Sequence, residues 1–105
     1  MSIASDAGVL HVLSAGGMRL PHGLLQIAAA GDTLLLVHEA SWLAVADDRL
    51  WASLPAGVDV LALDADLALR GLATRALHAR VRRGDDTDWV IASERHARSI
   101  SWGAS

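Results

Sequence analysis

The stretch that decides the fold is GDTLLLVHE, residues 31–39. Four consecutive apolar residues, 34–37, follow a Gly-Asp turn signal and end at His38 and Glu39. A short run that is apolar on both faces is typical of a parallel strand covered by helices on both sides. The stretch therefore predicts a central strand, Thr33–Val37, in a parallel sheet.

Strand and helix patterns alternate on both sides of this run. The predicted strands are Gly8–Leu13, Thr33–Val37, Val58–Leu63, a weak Ala79–Arg82 and Ser99–Trp102. The predicted helices are Leu20–Ala30, Ser41–Ala46, one from Ala65 to Gly71 and Asp88–Arg95. Alternation of this kind predicts an α/β fold: a small three-layer α/β/α domain with a mainly parallel five-stranded sheet.

Size and composition limit the function classes. The chain has 105 residues, which predicts a single domain over residues 1–105, and its 52% hydrophobic content excludes disorder. Its net charge is −3, and its one tight basic cluster is Arg80, Arg82 and Arg83. Since three charges do not outweigh twelve acids, we expect no direct nucleic-acid binding.

Cysteine is absent from the chain, as is lysine. The missing thiol excludes a disulfide framework, a cysteine zinc site and a thiol nucleophile within these residues. No run reaches the ~18–20 apolar residues of a membrane span, and residues 1–8 lack the pattern of a signal peptide. We therefore expect a cytoplasmic protein without membrane contact, cofactor or metal.

Several polar residues suggest chemistry but have plainer interpretations. Gly16-Gly17 lacks the rest of a phosphate-binding motif, which favours a turn. His11 lies inside a strand without ligand spacing to another histidine, which favours a core or interface position over a metal site. Asp64 and Asp66 begin a helix, where they are expected to act as cap and dipole partners. Ser41 is similarly expected to cap a helix.

His38 and Glu39 are the strongest polar candidates. They end the second strand, and ligands of open parallel sheets bind at the carboxyl ends of the strands. Histidine can act as a general base that a glutamate orients, but no nucleophile accompanies the pair. A polar strand end exposed to water or to a partner is the alternative interpretation, and no catalytic residue is predicted.

The four tryptophans are informative because the chain has no Phe or Tyr. Trp102 lies three residues from the end of the sequence, so its ring must pack on its own sheet or on another chain. Trp42 and Trp51 flank a polar stretch and are expected to be partly exposed. For Trp42 and Trp102 the sequence leaves core and interface roles open.

Four separated blocks resemble the DsrH/TusB family of small sulfur-relay subunits. They are Leu10–Ser14, Gly31–Glu39 followed by Ala44-Val45, Val60–Leu72, and Asp88-Trp89-Val90 continuing through His96 to Ser101-Trp102. The third block is similar to the family's strand followed by an acidic DLxARG helix. The blocks keep their order and spacing over nearly the whole chain.

The resemblance implies a DsrEFH-like fold and a heterohexamer with DsrE/TusD-type and DsrF/TusC-type subunits. A cysteine of the DsrE/TusD-type subunit would carry the persulfide. This chain would be a non-catalytic subunit of a sulfurtransferase complex, with His38, Glu39, Trp42 and Trp102 as interface or partner-site residues.

Three functions follow as hypotheses. Support of 2-thiolation of tRNA wobble uridine is favoured, because some sulfur-oxidising members of the family carry a cysteine that this chain lacks. A dissimilatory sulfur-oxidation relay of the DsrEFH type is the first alternative. A diverged, stand-alone homo-oligomer that binds a small ligand is the second, motivated by departures from the family at Gly16-Gly17 and Ala40.

Overall fold

The computed structural model describes residues 8–15 and 19–103, so Gly16-Gly17 lies outside the described residues. Its elements are β1 (Val9–Leu13), α1 (His22–Ile27), β2 (Thr33–Leu36), the 3-10 helix η1 (His38–Val45), α2 (Asp48–Trp51), β3 (Asp59–Leu63), α3 (Asp64–Leu69), β4 (Val81–Gly84), α4 (Asp86–Arg95) and β5 (Arg98–Trp102). The strands form one sheet in the order β4-β3-β2-β1-β5, and every neighbouring pair is parallel. The predicted α/β fold is confirmed.

The order of the strands explains where the helices lie. From β1 to β4 each connection moves one strand in the same direction, whereas the connection from β4 returns past three strands to β5. Because such crossovers are right-handed, the first three connections lie on one face of the sheet and α4 lies on the other. The three layers predicted from the sequence follow from this single reversal.

Side chains of β2 alternate between two cores. Leu34 and Leu36 face the core that includes Leu24 of α1, Trp51 of α2 and Leu67 of α3, which we call the first face. Leu35 and Val37 face the core that includes Ala92 of α4, which we call the second face. All four of these β2-region side chains are buried, as the continuous apolar run predicts.

The segment after β2 differs from its prediction. A 3-10 helix begins at His38, three residues before the predicted cap, and the expectation that Ser41 caps a helix is wrong. Ser41 is buried, and its Oγ has no hydrogen-bond partner. In a 3-10 helix residues three apart share a side, and Glu39 and Trp42 are accordingly exposed while the residues between them are buried.

Other helices also begin or end at residues that differ from the predicted ones. α1 spans only His22–Ile27, because Pro21 is extended and serves as its N-cap. α4 begins at Asp86, two residues early, because Asp85 and Asp88 form a capping box. Leu63, rather than Asp64, is the N-cap of α3, so the capping role expected of Asp64 is wrong, although both aspartates lie in the first turn.

The three arginines of the basic cluster are all engaged within the chain. Arg80 donates hydrogen bonds to the carbonyls of Trp51, Leu54, Pro55 and Val58 and so anchors the loop after α2. Arg82 binds both carboxylate oxygens of Asp59. Arg83 donates to the carbonyl of Arg75. The cluster therefore stabilises loops and a strand edge.

Candidate functional site

His38 and Glu39 lie at the carboxyl edge of the sheet, as predicted, immediately after β2. The register that pairs Leu36 with Ala62 brings the end of β3 alongside the end of β2. α3 follows β3 directly, so its first turns begin beside the start of η1. Two chain segments that are distant in the sequence therefore meet at this edge.

Four residues join η1 to α3, and we call them the η1–α3 latch: His38, Glu39, Asp66 and Arg70. The backbone N–H of His38 donates to Oδ2 of Asp66 at 3.1 Å. Arg70 donates from Nη2 to Oε2 of Glu39 at 3.0 Å and from Nη1 to the carbonyl of Asp66 at 3.2 Å. The latch fixes the two helices relative to each other through charge-assisted hydrogen bonds.

The backbone of His38 is the unusual feature of the latch. Its φ is 52°, the one positive φ at a non-glycine residue in the described part of the chain. A left-handed conformation costs a residue with a Cβ about 1–2 kcal/mol, although histidine tolerates it better than most residues. Such outliers persist where the surroundings hold them, and here Asp66 holds the N–H.

Trp42 lies on the same exposed side of η1 as Glu39. It is 45% exposed, and Leu69, which precedes Arg70 of the latch, is 80% exposed. Exposed apolar groups next to Arg and Trp are typical of surfaces that bind other proteins. The expectation that Trp42 is partly exposed is confirmed, whereas the same expectation for Trp51 is wrong, since Trp51 is 1% exposed.

Trp102 does not join the latch. It lies at the carboxyl end of β5, and Nε1 of its ring donates to Nδ1 of His11 at 3.1 Å. The ring packs so closely under α1 that a Cβ at Gly23 would come within 2.9 Å of it. The ring is partly buried against the first-face core of its own chain.

His11 connects Trp102 to a buried carboxylate that the sequence analysis did not single out. Nε2 of His11 lies 2.8 Å from Oδ2 of Asp32, so His11 donates to Asp32 and accepts from Trp102 as the neutral Nε2–H tautomer. Asp32 also accepts from the backbone N–H groups of Val9 and Ala29. Burial acts to raise the pKa of Asp32, but these hydrogen bonds outweigh it and lower that pKa.

α4 exposes an apolar surface. Trp89, Val90 and Ile91 are 40%, 55% and 50% exposed, and the buried apolar residue of this helix is Ala92. Adjacent residues of a helix point in widely different directions, so residues 89–92 cannot all face the sheet.

A cleft of about 690 Å³ lies between α1 and the segment 46–53. Its walls include the apolar side chains of Leu20, Leu25 and Leu50 and the charged side chains of Arg19 and Arg49. None of the latch residues lines it. Its residues come from two separate segments without a motif, so the sequence gave no indication of it.

The residues that the structure describes include no group of three or more His, Asp or Glu side chains that could hold a metal ion. Residues 8–15 and 19–103 also contain no helix that is long and apolar enough to span a membrane. The latch offers fixed hydrogen-bonding groups and an exposed imidazole rather than an assembled nucleophile and base.

The all-parallel sheet in the order 4-3-2-1-5, with helices on both faces, defines a small α/β domain. Residues 21–99 match the family described as DsrH like protein, and the chain belongs to that family. The resemblance to DsrH/TusB proteins is thereby confirmed. None of the curated proteins matches the chain significantly. Membership of this family makes the chain a sulfur-relay subunit and points to assembly with other subunits of the relay.

Proposed function

We propose that the chain is a single-domain, non-catalytic subunit of a cytoplasmic sulfurtransferase complex that supports 2-thiolation of tRNA wobble uridine. Its partners are subunits of the DsrE/TusD and DsrF/TusC types, arranged as a heterohexamer. A partner cysteine carries the sulfur, and this chain supplies a surface that borders the partner's site. The tRNA is bound by other components of the system.

The observation that carries this proposal is the latch surface on a chain without a thiol. Thiolate and persulfide chemistry requires a cysteine, and the 105 residues contain none. The latch pairs Glu39 with Arg70 at the edge of the sheet where ligands of this architecture bind, and Trp42 and Leu69 of the same two segments are exposed. Polar groups together with exposed apolar side chains suit protein association better than catalysis.

Two tryptophans with similar exposure provide a matched test of the surface. Trp42 on η1 and Trp89 on α4 are 45% and 40% exposed, and they lie on different faces of the sheet. We expect Trp42→Ala to weaken the complex with co-expressed relay subunits by about tenfold or more in dissociation constant, because tryptophans in interfaces are often energetic centres. Trp89→Ala should change it by less than about threefold.

Analytical ultracentrifugation of both variants with the relay subunits determines which of the two surfaces is required for assembly. Far-ultraviolet circular dichroism on each variant establishes that it is folded. Loss of assembly in Trp89→Ala together with normal assembly in Trp42→Ala would contradict the assignment of the interface to η1 and transfer it to the apolar surface of α4.

The tRNA route is tested separately from assembly. Deletion of the gene should lower the wobble 2-thiouridine content of total tRNA, and the wild-type chain supplied in trans should restore it. Nucleoside mass spectrometry measures this content directly. Unchanged thiolation combined with impaired oxidation of stored or reduced sulfur would favour the dissimilatory relay instead.

The cleft between α1 and residues 46–53 favours one second candidate, a stand-alone homo-oligomer that binds a small ligand. A volume of about 690 Å³ lies within the range of small-molecule sites. If this candidate is correct, the purified chain forms a defined oligomer by itself and does not bind relay subunits. Sedimentation of the chain with and without those subunits distinguishes it from the relay subunit.

A further inference from the structure

We propose that His38 presents its imidazole as a hydrogen-bond donor to the cysteine thiolate of a partner subunit. This inference rests on the proposed function, because it requires a partner that carries the thiol. It goes further by assigning the contact to one side chain and one chemical group. The evidence is the backbone conformation of His38, the charges around it and the absence of cysteine from the chain.

The backbone holds His38 in a conformation that glycine adopts more readily. Its φ is 52°, and Val37 before it is extended, so the chain turns sharply at the end of β2. The Val37 N–H donates to the carbonyl of Leu13, and the His38 N–H donates to Asp66. Since the turn itself would favour glycine, the presence of histidine there indicates that the side chain has a use.

The surroundings leave the imidazole available. It is exposed, and its ring nitrogens have no hydrogen-bond partner among the described residues. On its own helix Glu39 is bound by Arg70. On α3, Asp66 accepts from the His38 backbone and lies near Arg70, and Asp64 lies 4.0 Å from Arg83 of β4. The charged groups of this edge are thus paired with each other, while the imidazole is free to donate.

A cysteine thiolate is the group that such a donor suits. Thiolates are stabilised, and their pKa is lowered, by adjacent N–H donors and by histidine in particular. Because this chain contains no cysteine, the thiolate must belong to another chain. His38 would act as a positioning and stabilising residue, with no covalent step of its own.

Two substitutions separate the side chain from the backbone. His38→Gly keeps the left-handed conformation and removes the imidazole. His38→Asn also accepts that conformation and keeps a shorter N–H donor. A structural role alone predicts normal behaviour of both variants, since both suit the backbone, and thermal unfolding of each purified variant verifies that the fold is retained.

The test is the pH dependence of iodoacetamide alkylation of the partner's cysteine in the co-purified complex, followed by mass spectrometry. With His38→Gly we expect the profile to shift to higher pH and alkylation at pH 7 to slow by about threefold to tenfold. His38→Asn should recover part of the rate. Identical profiles for the wild type and His38→Gly, with an intact complex in native mass spectra, would overturn this inference alone. A wild-type chain that forms no complex would overturn the proposed function and this inference together.

Discussion

The two faces of the sheet differ in how they are covered. Among the described residues, α1, η1, α2 and α3 cover the first face, whereas α4 is the one helix that covers the second. The first face buries Trp51 completely, and the second leaves Trp89 40% exposed. The difference follows from topology, because three connections lie on one side of the sheet and the single connection that contains α4 lies on the other.

This asymmetry concerns the stability of the fold. The first face contains the larger core and the buried hydrogen-bond chain from Trp102 through His11 to Asp32. The second face shields its core with one helix whose outer residues remain apolar. The latch lies at the carboxyl edge of the sheet, where η1 begins. Substitutions should therefore have different costs on the two faces.

The largest expected effect compares two leucines of β2. Leu36→Ala on the first face should cost about 4 kcal/mol of unfolding free energy, because the cavity lies within a thick core. Leu35→Ala on the second face should cost about 2–3 kcal/mol, because α4 can settle into the space. Urea denaturation measures both. An equal loss of unfolding free energy in the two variants would contradict a difference in packing between the cores of the two faces.

A substitution of Asp32 measures how much the buried hydrogen bonds of the first face stabilise the fold. Asp32→Asn should cost about 2 kcal/mol at pH 7, because the buried hydrogen bonds from His11 and Ala29 lose their charged acceptor. The pKa of Asp32 is lowered in the folded state, so its contribution is present above its ordinary pKa and is lost as the pH falls through the folded-state value.

The pH dependence therefore gives this prediction its own control. The difference in unfolding free energy between the wild type and Asp32→Asn should narrow as the pH falls below about 4. Asp59, whose pKa Arg82 also lowers, is present in both proteins and cancels in the comparison. A difference that stays constant down to pH 3 would show that the carboxylate charge of Asp32 contributes nothing.

A comparison of two arginines near β4 contains the smallest expected effect. Arg80→Ala should cost about 2 kcal/mol, because four carbonyls of residues 51–58 lose their donor. Arg82→Ala removes an exposed ion pair with Asp59 and should cost less than about 1 kcal/mol. Thermal denaturation at two salt concentrations checks both, and only the effect of Arg82→Ala should diminish at high salt.

The strands were predictable because their signal is local. The apolar runs at β1, β2 and β3 and the alternation of elements specify a parallel sheet without further information. β4 and β5 begin and end within two residues of their predicted bounds. The strand order was not predictable, because it depends on which apolar surfaces meet in three dimensions.

The candidate site was predicted only in part for the same reason. The sequence placed His38 and Glu39 at the carboxyl edge, but their partners Asp66 and Arg70 are 28 and 31 residues away, and no local pattern links them to that edge. The sequence predicted a helix over Ser41–Ala46 but not its 3-10 form or its start at His38, because short helices carry few repeats. The bond between His11 and Trp102 spans 91 positions, and no local pattern encodes it.

Native mass spectrometry of the chain co-expressed with subunits of the DsrE/TusD and DsrF/TusC types determines whether it assembles with them. We predict a stable hetero-oligomer that contains all three chains, and weaker assembly when Trp42→Ala replaces the wild type. A chain that appears only as a monomer or homo-oligomer in the presence of both subunits would contradict the claim that it is a structural partner in a sulfur relay.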